Sequence, residues 1–221
     1  MGREFIPLFE DWAATYDQTV QGLDIQYKEA FRGYDHILDA IVSKSGTHVL
    51  EFGPGTGNLT AKLLDAGKTV FGIEPSPAMR KLASDKLSGR TEIVDGDFLT
   101  FPEPPFQADT IVSSYAFHHL TDEEKRAAIK QYGKYLHLHD KIVFADTVFE
   151  NAQAYQQAID KARSQGFYQL ANDLETEHYP TLDALKEMFT AEGFAVRFTQ
   201  QNDFVWIMEA IKRQSEGNVN R

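Results

Sequence analysis

The sequence predicts an α/β fold in which a doubly wound, mostly parallel sheet carries helices on both faces. Residues 48–60 are typical of a buried strand, a glycine-rich turn and the start of a helix. Further strand and helix patterns alternate along the chain, which is the order expected of a parallel sheet. The last two strand patterns, 194–200 and 203–211, are separated by the short turn Gln201–Asn202. We therefore expect these two strands to form an antiparallel hairpin.

Composition limits the classes of protein that this chain can be. A length of 221 residues fits one domain with modest additions, and the 42% hydrophobic and 12% aromatic fractions are those of a globular protein. The formal net charge is −11 and the sequence pI is about 5.1. A surface of this charge repels phosphate backbones, so no nucleic-acid partner is expected.

The absence of cysteine narrows the chemistry further. Without cysteine there are no disulfides, thiolate zinc sites, cysteine-ligated iron–sulfur clusters or cysteine nucleophiles. No apolar run approaches the length of a membrane span, so no membrane partner is expected. The first residues lack the apolar run and cleavage site of a signal peptide, which favours a cytoplasmic location.

The segment before the first strand, residues 4–45, is predicted to be mainly helical. Phe5, Phe9, Trp12 and Tyr16 recur at helical spacing. For Phe5 and Phe9 we favour an amphipathic helix that packs its aromatic stripe on the core. A second helix is predicted over residues 27–42, with five apolar side chains on one face: Phe31, Tyr34, Ile37, Leu38 and Ile41.

Three alternating glycines, Gly53, Gly55 and Gly57, separate the first strand from the next helix. Such a tight turn needs residues without a Cβ, and it brings a ligand close to the backbone at the positive end of the helix. Dinucleotide-binding turns place the third glycine where this chain has Asn58. Glu51, two residues before the first glycine, would repel a pyrophosphate but would suit a cationic ligand.

Acidic residues also stand at the ends of the next two strands. Strand 69–73 ends at Glu74, where a carboxylate can accept two hydrogen bonds from a ribose diol. Proteins that bind NAD use an acidic residue in the same way, so Glu74 alone does not distinguish a dinucleotide site from a site for a cationic ligand. Strand 91–94 leads to Asp97, an acidic tip that the dinucleotide fingerprint lacks. The constellation of Glu51, Glu74 and Asp97 is therefore more specific than any one of them.

A pair of histidines, His118 and His119, follows the fourth strand at residues 108–113. Adjacent residues point in different directions and no carboxylate triplet lies nearby, so no metal site is expected. One histidine is interpreted as structural, bonding the loop backbone, and the other as a general base that faces the substrate. Thr121 and Glu124 then predict a capping box for the next helix.

The segment after the fifth strand, 141–146, is longer than a simple crossover requires. A helix with Thr181 as its N-cap precedes the sixth strand, and residues 150–178 are in excess. Long insertions at the carboxyl edge of such a sheet usually shape the substrate pocket. His178 and Tyr179 either face that pocket or anchor the loop. The last residues, 213–221, are polar and predicted to be frayed.

Three motifs resemble class I, Rossmann-like S-adenosylmethionine (SAM) methyltransferases. Residues 51–57 match the E-x-G-x-G-x-G pattern of their first motif, and Glu51 suits the positive charges of SAM. Residues 9–17 are similar to the F-x-x-W/I-A-x-x-Y-D segment of small-molecule members related to the ubiquinone-biosynthesis group, and residues 118–120 resemble their H-H-L. Residues 114–120 lack the D/N-P-P-Y/F of enzymes that methylate nucleobase amines.

This resemblance implies a seven-stranded sheet of order 3-2-1-4-5-7-6, with the last strand antiparallel. It also implies that Glu74 binds the SAM ribose, that Asp97 accepts a hydrogen bond from the adenine amino group and that Phe98 packs on the ring. Tyr16 would close over the methionine end of SAM. The remaining cofactor-binding residues implied are Glu51, Gly53, Gly55, Gly57 and Ser114. His119 is the histidine that matches the family and the candidate catalytic residue, although in many relatives this position is structural.

The predicted function is transfer of a methyl group from SAM to an unidentified small-molecule acceptor. We expect a single domain over residues 1–221, with an N-terminal helical lid at about 4–45, a substrate-side insertion at about 147–180, and a monomeric or homodimeric state. The positive charge of SAM already activates the methyl group, so no strong base is required. The alternatives are a non-catalytic module that binds SAM or S-adenosylhomocysteine (SAH), and an NAD-dependent oxidoreductase.

Overall fold

The structure is a computed structural model that describes residues 6, 10, 12, 13 and 15–214. The predicted packing of Phe5 and Phe9, and the C-terminal end from residue 215, lie outside the described residues. The helices are α1 Tyr16–Val20, α2 Tyr34–Lys44, α3 Asn58–Asp65, α4 Pro77–Leu87, α5 Asp122–Tyr135, α6 Ala152–Ser164, α7 Tyr168–Thr176 and α8 Leu182–Ala191. The strands are β1 His48–Phe52, β2 Thr69–Ile73, β3 Glu92–Val94, β4 Thr110–Ser114, β5 Lys141–Thr147, β6 Phe194–Gln200 and β7 Val205–Lys212.

The strands form one seven-stranded sheet of order β3-β2-β1-β4-β5-β7-β6, as the resemblance implies. Within the group β1 to β5, every pair of neighbouring strands is parallel. Strand β7 runs antiparallel to both β5 and β6, which confirms the predicted hairpin. Because parallel strands end at the same edge of a sheet, the segments that follow β1 to β5 meet there, where open α/β sheets bind ligands.

Two hydrophobic clusters cover the two faces of the sheet. Successive residues of the central strands point to opposite faces, so Ile111 joins one cluster and Val112 the other. The first cluster includes apolar residues of α5 and α8, and the second includes those of α2 and α3. This arrangement confirms the predicted doubly wound architecture. None of the helices in the described part of the chain combines the length and the apolar character that crossing a membrane requires.

A third cluster joins the N-terminal segment to the insertion that follows β5. Tyr27 packs with Leu170 and Leu174 of α7, and its hydroxyl donates a hydrogen bond to Asp173. The backbone N–H of Gln169 donates to the side chain of Gln26 over 3.1 Å. The two segments therefore pack as one unit, although they are far apart in sequence.

The helix predicted over residues 27–42 begins only at Tyr34. Residues 27–33 form turns, and Gly33 at the N-cap has a left-handed φ of +79°. A helix interior does not accommodate this conformation, so the chain changes direction before α2 begins. The turns direct Phe31 onto Tyr115, with ring centroids 4.9 Å apart. The predicted bounds of β1, β2 and β6 match the observed ones, and those of the other strands differ by at most two residues at either end.

Candidate functional site

The glycine-rich turn between β1 and α3 has a left-handed backbone at all three glycines. A Cβ on Gly53 would lie 2.8 Å from the Cβ of Ala116, and one on Gly57 would lie 3.3 Å from that of Ala83. Space at these two positions is therefore taken by neighbouring protein. Gly55, with φ +57°, has no such neighbour within 4 Å. Of the three glycines, Gly55 is thus the one whose backbone borders open space.

A pocket lies where the ends of β1, β2 and β4 meet, and we call it the strand-tip pocket. It brings together most of the predicted site residues, and its lining includes Gly53, Gly55, Glu74, Asp97, Phe98 and Ser114. Tyr16 and His119 also line it. The parallel sheet explains this assembly, because residues separated by dozens of positions come together at one edge.

Two predicted residues, Glu51 and Gly57, are not among those that line the strand-tip pocket. The Glu51 carboxyl is 1% exposed, and its Oε2 accepts a hydrogen bond of 2.7 Å from the Thr60 hydroxyl. Burial raises the pKa of Glu51 to about 8, and the nearby carboxylate of Glu74 adds to this effect. Glu51 therefore does not border the pocket directly, and its carboxyl group is mostly protonated at pH 7 in the absence of a ligand. Gly57 allows α3 to pack closely on α4.

Glu74 connects the glycine-rich turn to the end of β2. Its two carboxylate oxygens accept hydrogen bonds from the backbone N–H groups of Gly55, at 3.0 Å, and Ser76, at 2.9 Å. Burial raises the pKa of Glu74 to about 7, although these two N–H groups and the charge of Arg80 oppose the shift. The side chain thus lies in the pocket with a fixed orientation.

Asp97 and Phe98 lie at the side of the strand-tip pocket formed by the loop after β3. The Oδ1 of Asp97 accepts hydrogen bonds from the backbone N–H groups of Leu99, at 3.0 Å, and Thr100, at 2.9 Å. The ring of Phe98 stacks on Phe52 with centroids 5.2 Å apart. The turn and the ring stack therefore hold an acceptor group and an apolar surface side by side.

A second hollow, which we call the aromatic cavity, lies between the sheet edge, the N-terminal segment and the insertion. Its aromatic lining includes Trp12, Tyr27, Phe31, Tyr179 and Phe204, and its polar lining includes His118, Asp173 and Glu177. The aromatic cavity and the strand-tip pocket share three lining residues, namely Tyr16, Tyr115 and His119. The two hollows are therefore neighbours, separated by these three side chains.

Tyr115, directly after β4, was missed by the sequence analysis. It has a φ of +53°, a left-handed conformation that is uncommon for a residue with a large side chain and that costs free energy. Its hydroxyl is buried and has no hydrogen-bond partner within the described part of the chain. No pattern in the surrounding sequence indicates this backbone geometry, which directs Tyr115 toward both hollows.

The two histidines form a buried cluster with two carboxylates. The Nδ1 of His118 lies 2.5 Å from Asp146 Oδ1, and its Nε2 lies 3.3 Å from Glu177 Oε2. Burial disfavours the charged form of His118, but the carboxylates of Asp146 and Glu177 outweigh it and raise its pKa to about 10. Burial raises the pKa of Glu177, but the two histidines lower it to about 2. His118 is therefore an imidazolium ion held between two carboxylates.

His119 has the opposite electrostatic character. Burial and the positive charge of His118 lower the pKa of His119 to about 3. Its Nδ1 lies 3.9 Å from Glu177 Oε1. A side chain with this pKa is a neutral imidazole at pH 7, which can donate one hydrogen bond and accept another. It does not retain a proton there, so it is poorly suited to the role of a strong general base.

The histidine pair differs from the prediction in its geometry. One turn of 3₁₀ helix spans Phe117–His119, and the two imidazole rings lie 4.1 Å apart, so the premise that adjacent rings diverge does not hold. Asp146 and Glu177 were missed because β5 and the insertion bring them in from distant parts of the sequence. Tyr179 lines the cavity and stacks on His118, whereas His178 donates its backbone N–H to the carbonyl of His118.

Comparisons with known proteins identify the family. A family profile described as a methyltransferase domain matches residues 49–138. An uncharacterized methyltransferase of Bacillus velezensis is 73% identical over 213 residues, which cover 96% of this chain and 100% of the relative. One of Geobacillus kaustophilus is 59% identical over 213 residues, covering 96% of this chain and 99% of the relative.

The fold is also similar to that of solved methyltransferase structures. Magnesium protoporphyrin IX methyltransferase from Synechocystis PCC 6803, with bound SAH, has a TM-score of 0.66 at 16% sequence identity. The similarity covers 93% of this chain and 99% of that one. At 16% identity the similarity shows only a shared fold. The assignment to a family rests on the bacterial relatives that are 73% and 59% identical. The chain thus belongs to the family of these bacterial methyltransferases, as its motifs predict.

Proposed function

We propose that the chain transfers the methyl group of SAM to a small-molecule acceptor. In this proposal SAM occupies the strand-tip pocket and the acceptor occupies the aromatic cavity. The observation that carries the proposal is that the two hollows share Tyr16, Tyr115 and His119. Methyl transfer requires the donor carbon and the acceptor atom in contact and in line, and two adjoining hollows provide such an arrangement.

The contacts of the strand-tip pocket support SAM as the donor. Glu74 would accept hydrogen bonds from the ribose hydroxyls, and Asp97 would accept one from the adenine amino group beside the ring of Phe98. The buried carboxyl groups of Glu51 and Glu74 favour a cationic ligand, because a sulfonium and an ammonium group would reduce the free-energy cost of ionising them. Ser114 and the turn at Gly53 and Gly55 complete the proposed cofactor site.

The reaction that follows is a direct displacement. A lone pair on the acceptor atom forms a bond to the methyl carbon, and the methyl–sulfur bond breaks with its electron pair remaining on sulfur, which gives SAH. The protein positions the two reactants and excludes water. Tyr16 would cover the methionine end of SAM. The hydroxyl of Tyr115 and the neutral imidazole of His119, which line both hollows, would hydrogen-bond the acceptor.

The aromatic cavity favours an acceptor that is small and partly planar or apolar. Its walls carry aromatic rings together with His118, Asp173 and Glu177, and both the N-terminal segment and the insertion contribute to them. Enclosure of this kind fits a small molecule better than a polymer. The expected cytoplasmic location, the absence of nucleic-acid partners and the monomeric or homodimeric state stay predictions.

The proposal is tested by binding and by turnover. Calorimetry with the purified chain should detect SAM and SAH binding and no NAD binding. Incubation with methyl-labelled SAM and fractionated metabolite pools should label one or a few small molecules, and the matched variant Glu74→Ala should label them weakly. Binding of SAH without labelling of any fraction would instead support a non-catalytic module.

A further inference from the structure

Three buried side chains converge beside the two hollows, and we call them the His-His-Glu cluster. These residues are His118, His119 and Glu177, which are 8%, 8% and 9% exposed. Each offers one ligand atom, and these atoms all lie within 4.8 Å of one another. The separation of 3.3 Å between His118 Nε2 and Glu177 Oε2 is close to that between two ligands of one tetrahedral ion with bonds of about 2.0–2.2 Å.

Outer contacts orient this cluster in the way that metal sites require. Asp146 lies on the Nδ1 side of the His118 ring and so directs the Nε2 side toward Glu177. Asp146 is itself held by the backbone N–H groups of His118, at 2.9 Å, and Thr147, at 2.7 Å. The hydroxyl of Tyr179 donates a hydrogen bond to Glu177. A carboxylate behind a histidine and a hydrogen bond on a carboxylate are the usual supports of metal ligands.

The cluster faces an open volume. His118, His119 and Glu177 all line the aromatic cavity, and His119 also lines the strand-tip pocket. Sites in which a metal acts on a substrate typically use three protein ligands and leave a further position for water or substrate. The cavity provides the space for that position.

We propose that the His-His-Glu cluster binds one divalent transition-metal ion of the zinc class. Two imidazole nitrogens and one carboxylate suit Zn²⁺, Co²⁺ or Ni²⁺, whereas Mg²⁺ and Ca²⁺ prefer oxygen ligands alone. Binding would displace the Nε2 proton of His118 to solvent, and the divalent cation would then balance the carboxylates of Asp146 and Glu177.

A consequence for the substrate follows, and it rests on the proposed function. A metal held by His118, His119 and Glu177 would act as a Lewis acid that lowers the pKa of a hydroxyl or thiol acceptor, whose proton would pass to solvent. An acceptor activated in this way would attack the methyl carbon of SAM, and the methyl–sulfur bond would break with its electron pair remaining on sulfur, giving SAH. In this arrangement His119 is a metal ligand and does not hydrogen-bond the acceptor.

Metal binding is tested with the untagged full chain after treatment with a chelator. Calorimetric titration should give one equivalent of bound Zn²⁺ or Co²⁺ and no binding of Mg²⁺. Bound Co²⁺ should develop visible absorption bands of a site with nitrogen ligands. A chain that binds no Zn²⁺ and no Co²⁺ would overturn the inference and leave His118 as a hydrogen-bonded ion between two carboxylates.

Variants locate the site. Glu177→Gln and His119→Gln should abolish the stoichiometric binding, and Asp146→Asn should weaken it roughly 10–100-fold because it removes an outer support. The matched controls are His36→Gln and His137→Gln, which change exposed histidines away from the cluster. Each variant is checked for its unfolding temperature and for SAH affinity. Equal metal affinity in wild type and in folded Glu177→Gln contradicts the proposal.

The metal inference and the proposed function fail separately. If the metal-free chain still turns over SAM at the full rate, with no metal bound by wild type, the metal site is refuted and methyl transfer stands. If Zn²⁺ binds at the cluster but SAM does not bind to the chain, the metal site stands and the proposed function is refuted.

Discussion

Glu51 and Glu74 are two acidic side chains buried close together behind and within the strand-tip pocket. Each is nearly inaccessible to water, and burial raises the pKa of Glu51 to about 8 and that of Glu74 to about 7. Ionising them in the folded chain therefore costs free energy. A cationic ligand reduces that cost, so the same arrangement that weakens the empty fold favours SAM.

We predict that Glu51→Gln raises the unfolding temperature at pH 8.5 and changes it little at pH 5. The folded pKa of Glu51, about 8, lies above the ordinary carboxyl value, so the folded chain holds a proton that the unfolded chain releases. The free energy of unfolding therefore falls as the pH rises from the ordinary carboxyl pKa of 4.5 to the folded value of about 8. This group contributes a fall of up to about 1.4 kcal/mol per pH unit. Glutamine can still accept the Thr60 hydrogen bond and removes this dependence.

Thermal unfolding measured across this pH range checks the prediction. The matched control is Glu103→Gln, which changes an exposed carboxylate and should follow wild type at every pH. A difference between Glu51→Gln and wild type that is the same at pH 5 and pH 8.5 would show that Glu51 is not protonated in the folded chain.

Glu74→Ala should weaken SAM binding about 10–100-fold while the fold persists. A hydrogen bond to a charged group contributes about 1.5–3 kcal/mol, which corresponds to this range of affinity. Calorimetry with SAM gives the affinity, and circular dichroism verifies the fold. Glu92→Ala, at an exposed carboxylate of the neighbouring strand, serves as the control. Unchanged affinity in a folded Glu74→Ala variant removes Glu74 from the cofactor site.

Asp97→Asn should lose affinity for SAH but lose less for its analogue in which hypoxanthine replaces adenine. Asparagine keeps an oxygen for the N–H groups of Leu99 and Thr100, so the turn is preserved. It replaces the other oxygen by a donor, which opposes the adenine amino group and suits the hypoxanthine carbonyl. Parallel titrations with the two ligands decide the matter. Equal losses mean that Asp97 does not read the amino group.

The site was predictable where the chemistry follows the strand ends. Glu74 stands directly after β2 and Asp97 lies in the loop that follows β3, and the parallel sheet brings them together, so their positions in the sequence sufficed. Tyr115 was not predictable because its role depends on a left-handed backbone. Glu177 was not predictable because tertiary packing alone brings the insertion to the histidines.

At the scale of elements, α1 is attached to the glycine-rich turn through one side chain. Oδ1 of Asp17 accepts hydrogen bonds from the Thr56 hydroxyl, at 2.6 Å, and the Asn58 amide, at 3.1 Å. Its Oδ2 pairs with the ammonium of Lys86 at 2.8 Å. The adjacent Tyr16 is one of the residues that line the strand-tip pocket. The described residues of this segment pair with no strand, so Asp17 contributes to its attachment together with the packing of Tyr16 on Phe31.

If Tyr16 closes over the ligand, hydrogen exchange over residues 12–25 should slow when SAH is added. Segments of this kind are drawn from the low-stability end of a structure. Asp17→Asn should speed exchange in the ligand-free chain and weaken SAH binding, because it removes the charge that pairs with Lys86.

The matched control for this lid is Asp24→Asn, whose side chain accepts a local hydrogen bond from the backbone N–H of Gln26. Asparagine keeps that contact, so exchange in this variant should follow wild type. If exchange is equally slow with and without SAH, then Trp12 and Tyr16 belong permanently to the core. That result would refute the lid and would leave the methyltransferase assignment intact.

The elements themselves were predictable to differing degrees. Strands and core helices followed their apolar periodicity, and the capping box of Thr121 and Glu124 is present as predicted. The predicted start of α2 at residue 27 was wrong. The left-handed backbone at Gly33 ends the preceding turns there, and the spacing of apolar residues does not reveal it. Aromatic and apolar side chains of the N-terminal segment and of the insertion pack against each other. Local sequence patterns do not reveal such long-range packing.

At the scale of the whole molecule, the surface charge and the enclosed cavity favour the same class of acceptor. The chain carries 33 acidic and 22 basic side chains, which gives the formal net charge of −11. Basic groups at the surface are paired with acids in several places, as in Lys62 with Asp35 and Asp39. Binding to a phosphate backbone requires basic groups that displace its counterions.

We therefore predict that methyl label from SAM enters low-mass metabolites and not RNA or DNA. The purified chain is incubated with labelled SAM and either the small-molecule or the nucleic-acid fraction of a bacterial extract. Low salt is included, because it strengthens any electrostatic binding to phosphates. Added tRNA should leave transfer to the small-molecule acceptor unchanged at every salt concentration. Label that ribonuclease releases, or inhibition by tRNA that fades as salt is raised, would show instead that a local basic surface overrides the overall charge.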